Sequence, residues 1–505
     1  MSEIVIDGYS DADKIPGFYA ETKYGAGPIN LQTIPLILLL VGLLATGAVM
    51  TPDVDVMEAT SKEDAEFWAG RGGELSRMAY KAFDQGLSGV KLMLASAAPA
   101  AGAVAATATI TLNNIASTTG TIKYRVGGEL VDVLIPANTS PNDAATLIAT
   151  RFSQFPRLAV TATVAANVVT LVVRSAGERG NDFILWQDAT KKPAVMTSTI
   201  AGGALVTGGG VRFAGGVGVE SLSLLTALLF PARYHRLAIA QNDATSAATW
   251  EAHIDAKAGV LEGRMEHPVL GHNGTLSSAT SIAQTTLNNP RCQLVWLLNS
   301  ETHPSELAAA MAARRASKEQ TQPNSGYDGA VLKTCAPQAA RADWPNRTTQ
   351  QSALDSGVTP LTTNEQGQVV VIRAITTRSL DGNTPDYRTL DVSEAVVPDY
   401  VRDRLRIVWV TEFLIANPNV APDPLPGEKD RPEGVGTPKL WSQRAHAELQ
   451  KMEKERILTQ VDLAQNRPIS TWNNAGKRIM SAVPVVPLPI QHAIGVSIRQ
   501  TALAA

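Results

Sequence analysis

A chain of 505 residues is long enough for two to four domains. Its formal charge of −3 lacks the basic surplus of a general nucleic-acid binder, so no direct nucleic-acid contact is expected. Charged residues make up 18%, below the roughly 25% of typical soluble proteins, which suits a surface largely covered by neighbouring subunits.

Residues 1–33 read as an extended N-terminal arm. Ser2, Ile4 and Ile6 alternate with Glu3, Val5 and Asp7 as in a short strand, and Pro16 and Gly17 fix a turn. No basic stretch precedes an apolar core here, so a secretory signal is not expected. The apolar run 34–50 carries Pro35, Gly42 and Gly47 and lacks flanking Lys or Arg. It reads as a buried strand over 36–41 running into a loop, not as a membrane span. Ser61, Glu63 and Asp64 form a helix start before Ala65, Phe67 and Trp68. A second helix over 74–83 carries Leu75, Met78, Ala79 and Ala82 on one side, and a strand follows at 90–94.

Near Ala97 the composition turns to Ala and Gly. Short strands are then expected at 107–112, 121–126 and 130–135, the last two joined by Gly127 and Gly128. Ser140, Pro141 and Asp143 start a helix that buries Ala144, Leu147, Ile148, Phe152 and Phe155. Strands at 159–163 and 168–173 make a second hairpin, and residues 177–181 close the unit. This β-β-β-α-β-β order defines an inserted β-rich outer domain over 98–215, with the glycine-rich stretch 202–218 as the way out.

Strand and helix alternate again afterwards. Strands are expected at 237–240, 269–271 and 294–298, and helices at 244–257, 279–287 and 305–317. That spacing argues for parallel strands in an α/β core, split by the insert into 34–97 and 216–360. In the C-terminal domain, 361–478, a polar turn with Gly367 feeds a strand of Val369, Val370, Val371 and Ile372. A charged helix follows over 398–406, then a Pro/Gly-rich loop over 422–438. A helix from Thr437 to about Leu458 carries Trp441, Ala445, Leu449 and Met452. The last stretch, 479–505, is spaced by Pro484, Pro487 and Pro489 and ends with Ile494, Val496 and Ile498 alternating with Gly495, Ser497 and Arg499. Prolines before a terminal strand suit a C-terminal arm.

Motifs that carry chemistry are scarce. Gly208–Gly210 and Gly215–Gly218 are followed by no Gly-Lys-Ser/Thr, and read as linker. His235, His253, His267, His272, His303, His446 and His492 show no His-Glu-x-x-His spacing, and no Cys-x-x-Cys exists, so no metal site is expected. Cys292 and Cys335 are expected as two separate buried thiols in a reducing compartment. No Gly-x-Ser-x-Gly elbow is present and the carboxylates are dispersed. Arg314-Arg315 and 451–456 are charge runs expected on solvated faces. No catalytic residue, no cofactor and no enzymatic activity are expected.

Residues 364–377, 386–391 and 396–406 together resemble the C-terminal signature of contractile-tail sheath proteins of Mu-like bacteriophages, the myovirus-type tail sheath family. The Ile15-Pro-Gly-Phe-Tyr-Ala-Glu21 segment resembles the start of such proteins, and the insert with its Gly-x-x-Gly-Asn close resembles their inserted domain. Phe67-Trp-Ala-Gly70 departs from the Phe-Gly turn of the family. The resemblance implies an α/β and α+β multidomain fold: a split α/β core, an inserted β-rich domain and a sheath domain with extended arms. It implies a virion structural protein that forms hexameric rings stacked into a helical polymer around a tail tube. Contraction then drives the tube through the host envelope. Baseplate and tail terminator proteins are implied as further partners, with assembly in the host cytoplasm and residence in the virion tail. Strand exchange between subunits is expected from Ile4, Val5 and Ile6 and from Ile494, Val496 and Ile498. Two alternatives stand beside it: a terminator or baseplate subunit that shares the domain without polymerising, and an α/β enzyme with a decorated core.

Overall fold

The structure is a computed structural model that describes residues 35–187, 196–415, 419–432, 434–474 and 477–492. The expected arm 1–33 and the six residues Ile4, Val5, Ile6, Ile494, Val496 and Ile498 lie outside these.

The first strand, β1 (Leu36–Val41), explains the architecture around it. Leu38 and Leu40 enter one apolar cluster while Leu39 and Val41 enter another, and all four are fully buried. A strand apolar on both faces must be covered on both, as in parallel sheets. β2 (Val56–Ala59), α1 (Lys62–Ala69), α2 (Glu74–Asp84) and β3 (Val90–Ala95) follow. Ser61 Oγ accepts the Asp64 N–H at 3.1 Å, which starts α1 where the sequence places it.

The chain then leaves the sheet. β4 (Thr107–Leu112), β5 (Gly120–Val126), β6 (Glu129–Ile135), α3 (Pro141–Ser153), β7 (Val160–Ala165), β8 (Val168–Val173), β9 (Ile184–Gln187), β10 (Ser198–Ala201), β11 (Leu205–Val206) and β12 (Gly210–Arg212) form two antiparallel sheets. Their orders are β10-β4-β8-β7 and β11-β12-β9-β5-β6. They share a core with Tyr124, Phe152, Leu171 and Phe213. The β5–β6 turn has φ of +58° at Gly127 and +81° at Gly128, a backbone that glycine adopts without a Cβ penalty. The expected β-β-β-α-β-β order stops at β8, and four further strands follow. Two of them lie inside the stretch 202–218 that reads as a linker. They are too short and glycine-rich to show a period of two. Gly210 is nevertheless a strand residue with a packing role, since a Cβ there would sit 2.7 Å from the Trp186 ring.

Back in the first sheet come α4 (Ser223–Leu229), β13 (Arg236–Ile239), α5 (Ala244–Ala258), β14 (His267–His272), α6 (Leu276–Thr280) with a π-helical continuation Ser281–Leu287, β15 (Gln293–Trp296), α7 (Pro304–Glu319), α8 (Arg347–Asp355), β16 (Thr359–Thr363) and β17 (Val369–Val371). The eight strands run β17-β16-β15-β14-β13-β1-β3-β2, with only the two edge pairings, β16–β17 and β2–β3, antiparallel. Residues Ala308, Ala309, Ala310, Ala312 and Ala313 of α7 are fully buried between α2 and the sheet. Small side chains let this helix approach both. The same cover overturns the solvated reading of Arg315, which is 1% exposed and donates to Glu319 and Gln293. The boundary expected at 360/361 falls inside β16. The sheet holds both β16 and β17 because Val295 and Trp296 pair with Thr359 and Pro360, and Leu361 with Val371.

Beyond the sheet lie the short pair β18 (Leu380–Asp381) and β19 (Thr384–Pro385), α9 (Val392–Val408) with a π-helical Trp409–Ile415, β20 (Asn419–Val420), β21 (Val435–Gly436), α10 (Pro438–Lys454), β22 (Ile469–Asn473) and β23 (Arg478–Ala482). Helix α9 begins six residues before the expected 398, because the Glu394 carboxylate accepts the Asp391 N–H at 3.0 Å and organises an earlier first turn. Val397 and Val401 of α9 and Leu449 and Met452 of α10 share a small core with Ile457, Leu458 and Val461. No helix among the described residues is long and apolar enough to cross a membrane.

Candidate assembly interface

The hairpin β22–β23 in the C-terminal part is largely open to solvent. Five antiparallel pairs, from Ile469↔Ala482 to Asn473↔Arg478, hold it together. Neither outer edge pairs with another strand among the described residues. The Ser442 hydroxyl on α10 donates to Ser470 at 2.8 Å, which ties one face to the helix. On the solvent side Ile469 is 66% exposed and Met480 48%. A two-stranded hairpin is marginal by itself, and open edges lined with β-forming residues favour a further strand.

Residues 483–492 leave this hairpin as a strap. The Leu488 N–H donates to Ile457 O and the Thr459 N–H to Val486 O, both at 3.0 Å. Asn324 Nδ2 donates to Leu488 O at 2.7 Å, so the strap spans from the C-terminal helices to the loop after α7. Val483 and Val485 pack on the α9–α10 core.

The insert meets the sheet domain through a buried ionic seam. Arg179 donates Nε and Nη2 to the two oxygens of Glu74 at 3.0 and 2.8 Å, and its Nη2 lies 2.7 Å from Glu220. The Leu43 N–H also donates to Glu74 at 2.9 Å. Burial opposes the Glu74 charge, but Arg179 outweighs it and holds the carboxyl below the usual carboxylate range. His303 donates Nε2–H to Arg179 O at 3.0 Å, and its ring stacks on Phe183 with centroids 4.4 Å apart. Beside it Arg77 donates to Glu306 at 2.7 Å and to the carbonyls of Arg157 and Gly127. Farther along, Arg212 of β12 donates to the Asn273 carbonyl and to Asn299 Oδ1 at 3.0 and 3.2 Å.

A cleft of about 670 Å³ opens at this seam, lined among others by Lys62, Glu66, Arg77, Tyr80, Arg157 and Glu306. Most of its charges are already paired: Lys62 with Asp84, Arg157 with Glu63 and Glu66, and Arg77 with Glu306. Burial pushes the Tyr80 phenol up to about 12, far from a working acid or base at neutral pH. Cys292 and Cys335 are both buried and unbridged, and burial raises both thiols, Cys335 up to about 12. His267 and His272 sit five residues apart on β14 and so face opposite sides of the sheet. His267 bonds Asp399 at 3.1 Å and His272 bonds Ser278 at 2.7 Å. Among the described residues no group of His, Cys, Asp and Glu gathers as a metal ion requires.

Sequence reasoning missed the seam. Arg179 lies within the Gly-x-x-Gly-Asn close, Glu74 was legible only as a helix start, and nothing in local spacing links them across 105 residues. The one signal available was a charged residue flanked by glycines in a tight turn.

No protein-family model matches the chain, and no curated protein matches it. Among solved structures, the chain is similar to the sheath tail protein of Desulfitobacterium hafniense, at 13% identity and a TM-score of 0.49, covering 94% of this chain and 97% of that one. It is also similar to a sheath tail protein from Listeria innocua (11% identity, TM-score 0.49, 90% of this chain and 92% of that one). A third similar chain is that of the helical sheath of the anti-feeding prophage in its contracted state (10% identity, TM-score 0.49, 97% of this chain and 100% of that one).

Proposed function

We propose that this chain is the structural subunit of a contractile tail sheath. It polymerises as stacked hexameric rings around a tail tube and contracts to drive the tube through a host envelope. Its work is done by subunit contacts and not by an active site. The observation that carries this reading is the β22–β23 hairpin, which pairs with no other strand among the described residues and exposes Ile469 and Met480, downstream of the block 364–406 that resembles the sheath signature.

An arm that cannot bury its own apolar face gains by adding a strand to an open edge of a neighbour. In this reading Ile4, Val5 and Ile6 of one subunit and Ile494, Val496 and Ile498 of another complete the sheet that β22 and β23 begin. Backbone hydrogen bonds then link subunits while their rigid bodies rotate. Such head-to-tail contacts are heterologous and propagate into a helical array. The tube, the baseplate and the terminator are the partners this role requires, and the virion tail is its place.

The test is negative-stain electron microscopy of the purified chain, alone and with the tube protein, beside chains lacking 1–7 or 493–505. Long striated hollow tubes from the full chain, and folded soluble monomers from both truncations, are the expected outcome. Full-length tubes from a truncated chain would remove the strand-exchange assignment. A single finite ring in the presence of tube protein would instead make the chain a terminator or baseplate subunit.

A further inference from the structure

The strap carries a histidine that the assembly reading does not use. His492 Nδ1 lies 2.6 Å from Asp328 Oδ2, and its Nε2 lies 3.0 Å from Asp391 Oδ2. Asp328 comes from the loop that precedes the segment bridged to β17, and Asp391 is the residue that opens α9. Arg373, which follows β17, donates to both oxygens of Asp391 at 2.9 and 2.8 Å. Glu394, one turn into α9, accepts the Asp391 N–H. Among the described residues, these are the charged groups around the ring.

Both ring nitrogens therefore face carboxylate oxygens. A carboxylate only accepts, and a neutral imidazole carries one N–H, so one of the two contacts would set lone pair against lone pair. Only the imidazolium donates to both. We propose that His492 is a proton-dependent latch that seats the strap 483–492 against the sheet domain, closed while the ring is charged and released as the ring loses its proton.

The rest of the strap makes this release consequential. Upstream of His492 its described main-chain bonds are those of Val486 and Leu488 to the 457–459 segment and of Leu488 to Asn324. Ile490 lies so close to Gly326 that a Cβ there would be 2.8 Å from the Ile490 side chain. Burial disfavours the His492 charge, but the hydrogen bonds to Asp328 and Asp391 outweigh that and raise its affinity for the proton. A group with a raised folded value lends stability that is present below the ordinary histidine range and is lost as pH climbs through the folded value.

The latch is a property of a single chain, whereas its bearing on arm placement rests on the proposed function. Hydrogen exchange of the unassembled chain separates the two. Peptides covering 457–459 and 485–492 are followed at pH 5.5 and 8.5 and corrected for intrinsic exchange. In the wild type, protection is expected to fall about fivefold between the two, the scale of a partly exposed ion pair. His492→Gln should show the low protection at both pH values. Asp328→Asn, which leaves a single carboxylate for a single N–H, should flatten the pH response. Equal protection of the wild type at both pH values, or the same fall in His492→Gln, would overturn the latch whether or not the chain polymerises.

Discussion

Glu74 and Arg179 meet through two parallel hydrogen bonds of 2.8 and 3.0 Å in a site where each side chain is only 7% exposed. One residue opens a helix of the sheet domain, and the other belongs to the insert. With Glu220 on the same guanidinium, one cation serves two buried carboxylates. The pairing is geometrically good, yet its net worth against an apolar seam is small, because three charges have left water. What it supplies is selectivity for one docking of the insert.

Removing the cation is therefore far worse than never having had it. Arg179→Leu leaves Glu74 and Glu220 buried together and should destabilise the chain by about 3–5 kcal/mol. Glu74→Gln and Glu220→Gln in the same background should recover most of that loss. Urea denaturation of the three chains measures both effects. If Arg179→Leu alone unfolds at the wild-type midpoint, the seam carries no such load.

A second prediction concerns pH. Glu301 is 3% exposed and faces Arg125 of β5 at 3.1 Å. Burial pushes its carboxyl up to about 7, and Arg125 pulls it only part of the way back. The unfolded chain releases this proton near the ordinary glutamate value, while the folded chain keeps it to about pH 7. The unfolded state thus gains as pH rises through that window, and the loss is complete above it. Glu301→Gln should raise stability at pH 8 by roughly 3 kcal/mol and leave it unchanged at pH 4. Thermal unfolding at the two pH values decides, and an equal shift at both would refute the assignment.

Much of the fold was legible before the structure, and the parts that were not share a cause. β1, α1 and the Gly127-Gly128 turn follow from local rules: an apolar run, a capping serine and a pair of glycines. β11, β12 and the early start of α9 do not. The strands are two and three residues long, and the first turn of α9 depends on Glu394 reaching back to Asp391. The buried Arg315 defied the charge-run rule because its surroundings are set by Gln293 of β15 and the sheet beneath α7, which local sequence does not show. Of the candidate interface, the proline-spaced end was visible, but the hairpin that would accept an arm was not. Ile469–Asn473 and Arg478–Ala482 mix polar and apolar residues without strict alternation.

Helix α9 offers a third test. Arg291 donates to both oxygens of Asp399 at 2.9 Å, and His267 of β14 reaches the same carboxylate at 3.1 Å. Burial raises the Asp399 carboxyl, but the bonds from His267 and Arg291 prevail and hold it well below the usual range. Asp399→Asn keeps the shape, removes the charge and leaves an amide where an acceptor stood. A loss of about 1–3 kcal/mol is expected, concentrated in the exchange of α9 amides. Uniform loss over the whole chain would mean that Asp399 does not specifically anchor the helix.

The hairpin gives a fourth. Ile469 and Met480 are exposed, so Ile469→Lys with Met480→Lys should move monomer stability by no more than about 0.5 kcal/mol. Under the proposed function the same pair should abolish tubes, since lysines on a sheet face disfavour further pairing. Size-exclusion mass and electron microscopy on one preparation read both. Unimpaired tubes would show that this hairpin is not the acceptor.

The insert supplies the fifth. Its two crossings run side by side, with Val104 paired to Val217 and Thr107 to Ala214, so excision of 98–215 asks for little new backbone. Excision also takes away Arg179, the partner of two carboxylates that stay behind. Glu220 and Glu74 are then left without their guanidinium, although the newly opened surface lets water reach them and softens the cost. A plain deletion should therefore fold poorly, and a deletion carrying Glu74→Gln and Glu220→Gln should give a soluble core with cooperative unfolding. If that neutralised core also builds tubes, the insert is dispensable for polymerisation. If it folds but stays monomeric with tube protein present, the insert takes part in subunit contact, and its place as an outer decoration is refuted.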